Sequence, residues 1–294
     1  MPRFGSVLTA MVTPFHDTGE IDLVGAAELA RWLVEEGNDG LVVSGTTGEA
    51  SCLTDAEQVD LWHAVRAAVD VPMIVGSGTN DTRHAAELTG QAAAAGADGV
   101  LLVTPYYNRP SQAGIEAHFR HVAAATDLPV VLYDIPVRTG RRISPEVIGR
   151  LASEVPNVVA LKDAGGDPAA TAQVIADAPG GFEVYSGDDG LTLPLLAVGA
   201  VGTIGVATHW AASIVGEMIA AFTKGDVQRA TDLNARLLES YAFETGDANP
   251  NPVPTKAMLR ALGRPAGPCR APMGFGPADL EARALEVHRR LHAA

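Results

Sequence analysis

Short runs of apolar, often β-branched residues recur along the first two-thirds of the chain. None of them alternates cleanly between apolar and polar positions, which is typical of strands buried on both faces of a parallel sheet. Most follow one another at the spacing of a strand–helix unit, roughly 30 residues. The predicted strands are residues 6–12, 40–43, 71–75, 99–103, 130–133, 158–162, 182–186 and 201–206.

The segments between these runs carry the signals of helix ends. Thr54 begins a capping-box pattern, and Ser144 and Asp167 each stand as a favourable N-cap directly before a proline. Gly37 and Gly225 lie where helices would end. Eight strands alternating with helices predict an α/β fold, a (βα)8 TIM barrel, with an open doubly wound sheet as the alternative.

The pattern changes near the end of the chain. After Lys224 no further strand is predicted, and the remaining residues favour helices joined by a proline-rich link at residues 249–254. We therefore expect a catalytic barrel over residues 1–224 and a C-terminal helical region over 225–294. Residues 190–208 are uncharged and apolar, but Pro194 and several glycines interrupt them, so a buried helix leading into a strand is favoured over a membrane span.

Composition narrows the class of protein. The 35 acidic residues outnumber the 21 basic ones and give a formal charge of −14. Nucleic acids and anionic membranes attract basic surfaces, so neither is an expected partner. Cys52 and Cys269 lie far apart, and the N-terminus has no secretory pattern, which favours a cytoplasmic protein.

Motifs for metals and nucleotides are missing from the sequence. It contains no HExxH, no Walker A pattern and no complete dinucleotide fingerprint. His118 and His121 are three positions apart on a predicted helix, where a partly exposed polar face explains them better than a metal site. We expect neither a metal nor a cofactor.

In a TIM barrel the active site forms at the carboxyl ends of the strands and in the loops that follow them. Reactive or hydrogen-bonding residues stand at several of these positions. The candidates in chain order are Thr46, Thr47, Tyr106, Tyr107, Tyr133, Arg138, Lys162, Gly187 and Ile204.

Lys162 ends an apolar strand and is one of only three lysines among 21 basic residues. Unlike arginine, lysine can lose its proton near neutral pH when apolar surroundings lower its pKa. A neutral amine at this place would attack a ketone and form an imine. The residues alone leave a second interpretation open, in which Lys162 reaches solvent or pairs with Asp163.

Tyr106, Tyr107 and Tyr133, three of the five tyrosines, fall near this predicted rim. A phenol both donates and accepts hydrogen bonds, so these side chains suit the proton transfers of imine chemistry. Thr46 and Thr47 would extend such a relay. Tyrosines that only anchor loops and pack the rim would give the same pattern.

Two other features allow more than one interpretation. Arg138 would suit a bidentate clamp for a substrate carboxylate, or it is a surface arginine in a basic stretch. The turn at residues 45–48 would hold an anion on its backbone N–H groups, although it lacks a nucleotide-binding pattern.

At these positions the sequence resembles the dihydrodipicolinate synthase family of pyruvate-dependent aldolases, over nearly the whole chain. The shared stretches are residues 45–49 (GTTGE), 104–110 (TPYYNRP), 133–140 (YDIPVRTG), 161–163 (LKD), 186–189 (SGDD) and 251–256 (NPVPTK). The GTTGE and LKD stretches also occur in related aldolases such as sialic acid lyase, whereas TPYYNRP and VRTG point to the synthase. Asp134 and Asp163 depart from the family, in which Asn and Glu are frequent there.

The resemblance implies condensation of pyruvate with L-aspartate 4-semialdehyde in lysine (diaminopimelate) biosynthesis. It implies that Lys162 forms a Schiff base with pyruvate. Tyr133 would be the general acid and base, linked through Thr46 or Thr47 to Tyr107. In this family that last tyrosine crosses a dimer interface, and members are commonly tetramers of two dimers, so we expect a homotetramer.

The resemblance also implies the substrate contacts. Thr46 and Thr47 would hold the pyruvate carboxylate with the backbone at Ile204, and Gly187 would lie at the same site. Arg138 would bind the carboxylate of the semialdehyde. The alternatives are a pyruvate aldolase for a sugar-derived acid, against which Arg138 argues, and a non-catalytic metabolite-binding barrel that uses residues 45–49 to hold an anion.

One region departs from the lysine feedback pocket of the family. His84 stands where lysine-inhibited members often have a carboxylate, and Asp55 and Gln58 stand near positions that hold histidines there. A buried ammonium group without its partner costs several kcal/mol. We therefore expect weak or absent inhibition by L-lysine, although Asn80 and Tyr106 are retained.

Overall fold

The computed structural model describes residues 1–246 and 248–293. Eight parallel strands pair in chain order, and the first pairs with the last to close a barrel. This confirms the predicted (βα)8 fold and excludes the open sheet. The strands are β1 (Val7–Ala10), β2 (Gly40–Val43), β3 (Met73–Gly76), β4 (Gly99–Val103), β5 (Val130–Asp134), β6 (Val158–Asp163), β7 (Glu183–Ser186) and β8 (Gly202–Gly205).

Helices follow the strands and form the outer layer. The predicted helix ends are confirmed: Thr54, Ser144 and Asp167 cap helices with their side chains, and Gly37 and Gly225 follow helices with φ of 104° and 84°. The helices are α1 (Leu23–Glu35), α2 (Asp55–Arg66), α3 (Thr82–Ala92), α4 (Gln112–Ala123), α5 (Pro136–Thr139), α6 (Pro145–Glu154), α7 (Pro168–Asp177), α8 (Thr192–Ala197), α9 (Thr208–Thr223), α10 (Val227–Glu244), α11 (Val253–Ala261) and α12 (Leu280–His292).

Some strand ends differ from the prediction. β3 begins at Met73, two residues later than expected, because Pro72 has no N–H and contributes only its carbonyl, which accepts a hydrogen bond from the Leu41 N–H. β5 and β6 each extend by one residue, and Asp134 and Asp163 lie in register at their ends. The extension carries both strands to the rim where the predicted site lies.

The interior of the barrel is a packed core. Side chains from the strands fill it, as expected for a barrel of eight strands. They form one apolar cluster that includes Leu8, Val42, Ile74, Leu101, Val131, Tyr133, Ala160, Tyr185 and Ile204. A reactive group at the carboxyl ends of the strands therefore borders this apolar cluster.

The C-terminal helices pack against the barrel. Helix α10 contacts α9 and α12, and Trp210 of α9 and Leu233 of α10 share a cluster of buried residues with Val7 of β1. The division of the chain after residue 224 remains a prediction. Residues 190–208 contain α8 and then β8, as the sequence predicts, and no helix within the described residues is apolar enough over sufficient length to cross a membrane.

His118 corrects one expectation. It was predicted on a partly exposed face of its helix, but its side chain is 4% exposed, and its Nδ1 lies 2.9 Å from the Thr82 hydroxyl. Burial lowers the pKa of His118 to about 4, so the ring is neutral. Within residues 1–246 and 248–293, no group of three His, Cys, Asp or Glu side chains is arranged to hold a metal ion.

Candidate active site

Lys162 lies at the carboxyl end of β6, in register with Tyr133 of β5. Its side chain is 4% exposed, so it does not extend into solvent. Asp163 does not serve as its partner, because that carboxylate accepts hydrogen bonds from the Gly165 N–H at 2.7 Å and the Thr171 hydroxyl at 2.6 Å. The interpretation of Lys162 as a solvated or Asp163-paired lysine is therefore wrong.

The surroundings of Lys162 lower the pKa of its amine and so raise the neutral fraction. Burial lowers the pKa of its amine to about 8, and the charge of Arg138 acts in the same direction. The carboxyl groups of Asp189 and Glu244 oppose this and keep the pKa from falling further. About one amine in ten is then neutral at pH 7, about two hundred times the fraction for a lysine in water.

Tyr133 supplies a protonated phenol beside this amine. The Lys162 Nζ lies 4.4 Å from the centroid of the Tyr133 ring, and the ring is 3% exposed. Burial raises the pKa of Tyr133 to about 12, although a hydrogen bond with Thr46 and the charge of Arg138 lower it. At neutral pH the phenol therefore keeps its proton and is ready to donate it.

The two predicted threonines follow β2 in the loop of residues 45–49. Thr46 lines the cavity at the rim, and Thr47 is 3% exposed. The Thr47 hydroxyl oxygen accepts a hydrogen bond of 2.9 Å from the side chain of Asn251. At the end of the loop, Glu49 has a φ of 55° and its carboxylate lies 2.6 Å from the ammonium of Lys256, with both side chains buried.

Gly187 and Ile204 shape the space around the amine. A Cβ atom on Gly187 would lie 2.9 Å from Cγ of Lys162, closer than real Cβ atoms approach, and 3.0 Å from its Cε. The missing side chain therefore leaves room for the lysine. Ile204 is fully buried in the same apolar cluster as Tyr133.

A cavity of about 360 Å³ opens at this rim. Thr46, Tyr133 and Arg138 line one part of it, and its size suits small organic acids. Arg138 is held at its edge, where its Nη2 donates a hydrogen bond of 3.2 Å to the Asn251 carbonyl. The same cavity is also lined by Gln58, Asn80, His84 and Tyr106.

Tyr107 is the candidate that lies apart from the others. Its side chain is 89% exposed, and its backbone has a φ of 71°. Its neighbour Tyr106 lines the cavity instead. The predicted relay from Tyr133 through Thr46 or Thr47 therefore does not reach Tyr107 within one chain.

Sequence reasoning found Asp189 only as part of the shared stretch 186–189, and missed that Asp189 and Glu244 are buried carboxyl groups near Lys162. Asp189 is 3% exposed and accepts a hydrogen bond of 2.8 Å from the Val206 N–H. Burial raises the pKa of Asp189 and of Glu244, and the negative charge of Asp189 raises that of Glu244 further. Glu244 had a detectable signal, because it continues the buried face of α10 after Leu237 and Tyr241.

Comparison with known proteins identifies the family. Residues 3–294 match the model of the Dihydrodipicolinate synthetase family. The chain belongs to this family. The 4-hydroxy-tetrahydrodipicolinate synthase of Acidothermus cellulolyticus is 52% identical over 287 residues, which cover 96% of this chain and 91% of that protein. The enzyme of the same name from Bacillus subtilis is 44% identical over 275 residues, covering 92% and 93%.

Solved structures of the dihydrodipicolinate synthetase family share the fold. A crystal structure of the enzyme from Cyanidioschyzon merolae with lysine bound has a TM-score of 0.95 and 41% identity, with complete coverage of both chains. One from Bacillus anthracis has a TM-score of 0.93 and 41% identity, covering 98% of this chain and 99% of that chain. The family resemblance found in the sequence is thereby confirmed, and the roles of single residues remain predictions.

Proposed function

We propose that this chain is a 4-hydroxy-tetrahydrodipicolinate synthase, a lyase that condenses pyruvate with L-aspartate 4-semialdehyde in lysine (diaminopimelate) biosynthesis. The observation that carries the proposal is the buried amine of Lys162, whose pKa of about 8 makes it a nucleophile beside a protonated phenol. Membership of a family whose relatives bear this name supports the choice of reaction.

In the first half-reaction the neutral Lys162 amine attacks the keto carbon of pyruvate. The carbinolamine takes a proton from Tyr133 on its hydroxyl, loses water and becomes a protonated imine, which leaves Tyr133 as a phenolate. The hydroxyls of Thr46 and Thr47 hold the pyruvate carboxylate, with the backbone at Ile204 and Gly187 beside them. A methyl proton then moves to the Tyr133 phenolate, and the electron pair of its C–H bond forms the enamine.

In the second half-reaction the enamine carbon attacks the aldehyde carbon, and the aldehyde oxygen takes a proton from Tyr133. The amine of the semialdehyde then attacks the imine carbon and closes the ring. The bond between that carbon and the Lys162 nitrogen breaks, which returns the free amine and releases 4-hydroxy-tetrahydrodipicolinate. Arg138, at the edge of the cavity, binds the semialdehyde carboxylate.

The proposal includes association into a homotetramer of two dimers. Tyr107 stands on the loop after β4 and Val137 on the short helix α5 that follows the neighbouring strand β5, with side chains 89% and 86% exposed. Burial of these side chains by a second copy would bring Tyr107 toward a site. A monomeric dihydrodipicolinate synthase variant is among the solved structures, at 34% identity and a TM-score of 0.94, so sedimentation of this protein is the direct test.

The proposal places the enzyme in the cytoplasm without metal or cofactor. Both cysteines, Cys52 and Cys269, are free thiols, as suits a reducing compartment. Every step above uses only groups of the chain and the two substrates.

Reduction with borohydride in the presence of pyruvate tests the proposed chemistry. The imine is expected to become a stable secondary amine, and peptide mass mapping should place it on Lys162. The matched control is Lys162→Arg, which keeps the charge but forms no imine, while Lys224 and Lys256 serve as internal controls. A non-catalytic barrel would give no adduct, and an aldolase for sugar-derived acids would give the adduct but prefer a sugar aldehyde over aspartate semialdehyde in a coupled assay.

A further inference from the structure

Asn251 connects the C-terminal region to the proposed pyruvate site. It stands in the link between α10 and α11 and is 9% exposed. Its Nδ2 donates a hydrogen bond of 2.9 Å to the hydroxyl oxygen of Thr47, which is 204 positions earlier in the chain. Thr47 is one of the two residues assigned to the pyruvate carboxylate, so this contact reaches a substrate-binding group from outside the barrel.

A second hydrogen bond, at the Oδ1 of Asn251, fixes which group of its side-chain amide faces Thr47. The Thr255 hydroxyl, which is fully buried on α11, donates 2.9 Å to the Asn251 Oδ1. Because that oxygen is the acceptor for Thr255, the amide NH₂ group of Asn251 faces Thr47. Asn251 is therefore held as a donor to the threonine.

A hydroxyl group has a single hydrogen, and this decides what Thr47 offers a substrate. Its oxygen already accepts from Asn251, so its hydrogen points elsewhere. The hydrogen bond from Asn251 is the only one that the Thr47 side chain makes within the described residues. A carboxylate accepts hydrogen bonds and donates none, so a hydroxyl must present its hydrogen to bind one.

Asn251 also contacts Arg138, the residue proposed to bind the semialdehyde carboxylate, through a different group. Its main-chain carbonyl accepts the hydrogen bond from Arg138 Nη2 at 3.2 Å. Its side chain thus acts on the residue assigned to pyruvate, whereas its backbone acts on the residue assigned to the semialdehyde. A side-chain substitution removes the first contact and leaves the second in place.

We propose that Asn251 is a positioning residue that holds the Thr47 hydroxyl as a hydrogen-bond donor to the pyruvate carboxylate. The inference rests on the proposed function. Asn251 touches no reacting atom, and its effect passes through Thr47. A hydrogen bond to a charged group contributes enough for its loss to weaken binding about tenfold or more.

The test is a double-mutant cycle read out in the two Michaelis constants. Asn251→Ala is expected to raise the KM for pyruvate about tenfold, with the KM for aspartate semialdehyde changed by less than about threefold. In a Thr47→Val background, where the hydroxyl is gone, Asn251→Ala should change the pyruvate KM by less than about twofold. Equal effects in both backgrounds, or equal increases in both constants, would overturn the inference.

Two further measurements keep the result interpretable. Thermal unfolding shows whether each variant is folded, and Thr255→Val provides a second route, since it removes the donor that orients Asn251 and should raise the pyruvate KM by a smaller factor. Unchanged pyruvate KM in both folded variants overturns the inference. The proposed function has its own criterion, because its failure would appear as the absence of a pyruvate adduct on Lys162 in the unaltered protein.

Discussion

The amine of Lys162 lies 4.4 Å from the centre of the Tyr133 ring, and burial shifts the pKa values of the two groups in opposite directions. The pKa of the lysine falls to about 8 and that of the tyrosine rises to about 12. Over the range between these values, the amine is mostly neutral while the phenol keeps its proton. One apolar environment thus prepares both a nucleophile and an acid.

This relationship predicts the pH dependence of pyruvate capture. The protonated amine cannot attack a ketone, so the rate should rise with pH as Lys162 loses its proton. With a pKa of about 8, the neutral fraction grows from about one in ten at pH 7 to about one half at pH 8. Measurement of kcat/KM for pyruvate across this range should show a rise of about fivefold. A flat profile, or one that falls, would contradict the assignment.

The space beside Lys162 predicts the effect of adding one methyl group. In Gly187→Ala the new Cβ would meet the lysine side chain at 2.9 Å and displace its amine, so we expect kcat to fall by about tenfold or more. Gly190→Ala, in the same loop, is the matched control, because its Cβ would lie 3.5 Å from the nearest atom, an ordinary contact. Similar activity in the two folded variants would show that Gly187 has no such role.

His209 predicts a pH dependence of stability. It is fully buried; its Nδ1 donates to the Val206 carbonyl at 2.7 Å, and its Nε2 accepts from the Val12 N–H at 3.2 Å. Burial lowers its pKa from 6.5 to about 4. Between these values the unfolded chain binds a proton that the folded protein does not, so the contribution of His209 to the free energy of unfolding should decrease as pH falls, by about 3 kcal/mol over the whole window.

Urea unfolding of His209→Gln measures this contribution. Glutamine keeps an acceptor for the Val12 N–H but has no ring to protonate. The variant should therefore lose less stability than the unaltered protein between about pH 6.5 and pH 4. Some dependence should remain, because burial also lowers the pKa of His118 to about 4. An identical decrease in both proteins would mean that His209 does not set it.

The surroundings of His84 predict the response to L-lysine. His84 lines the cavity, and its Nε2 is 2.8 Å from the Asp55 carboxylate, so that acid already has a partner. A ligand ammonium would meet an imidazole where a carboxylate would be required. We expect no inhibition by L-lysine below millimolar concentrations in an initial-rate assay. His84→Glu should increase sensitivity, and submillimolar inhibition of the unaltered protein would refute the prediction.

The sequence was sufficient for the barrel because strands buried on both faces leave apolar runs that need no knowledge of their neighbours. It also singled out Lys162, since a rare lysine at the end of such a run is visible without coordinates. The contact between Asn251 and Thr47 was not predictable in this way. It depends on how α11 packs on the barrel, and nothing local in either segment encodes it.

Glu244 and Tyr107 are two further residues whose positions relative to the site could not be predicted from the sequence. Glu244 occupies an apolar-face position of α10, but only the packed structure shows that the face lies near Lys162 and Asp189. Tyr107 adjoins the rim in sequence, yet it points away from the cavity of its own chain. Both positions depend on which residues lie close together in space, and hydrophobic periodicity carries no information on that.

The buried ion pair between Glu49 and Lys256 has a consequence for truncation of this protein. A fragment ending after α9 would retain all eight strands and the reactive amine, but Glu49 would lose both the Lys256 ammonium and the Arg270 N–H that donates to its carboxylate. The substrate-binding loop would then relax even if the strands stayed paired. The shortest functional version of this enzyme must therefore extend through α11, well past the last strand of the barrel.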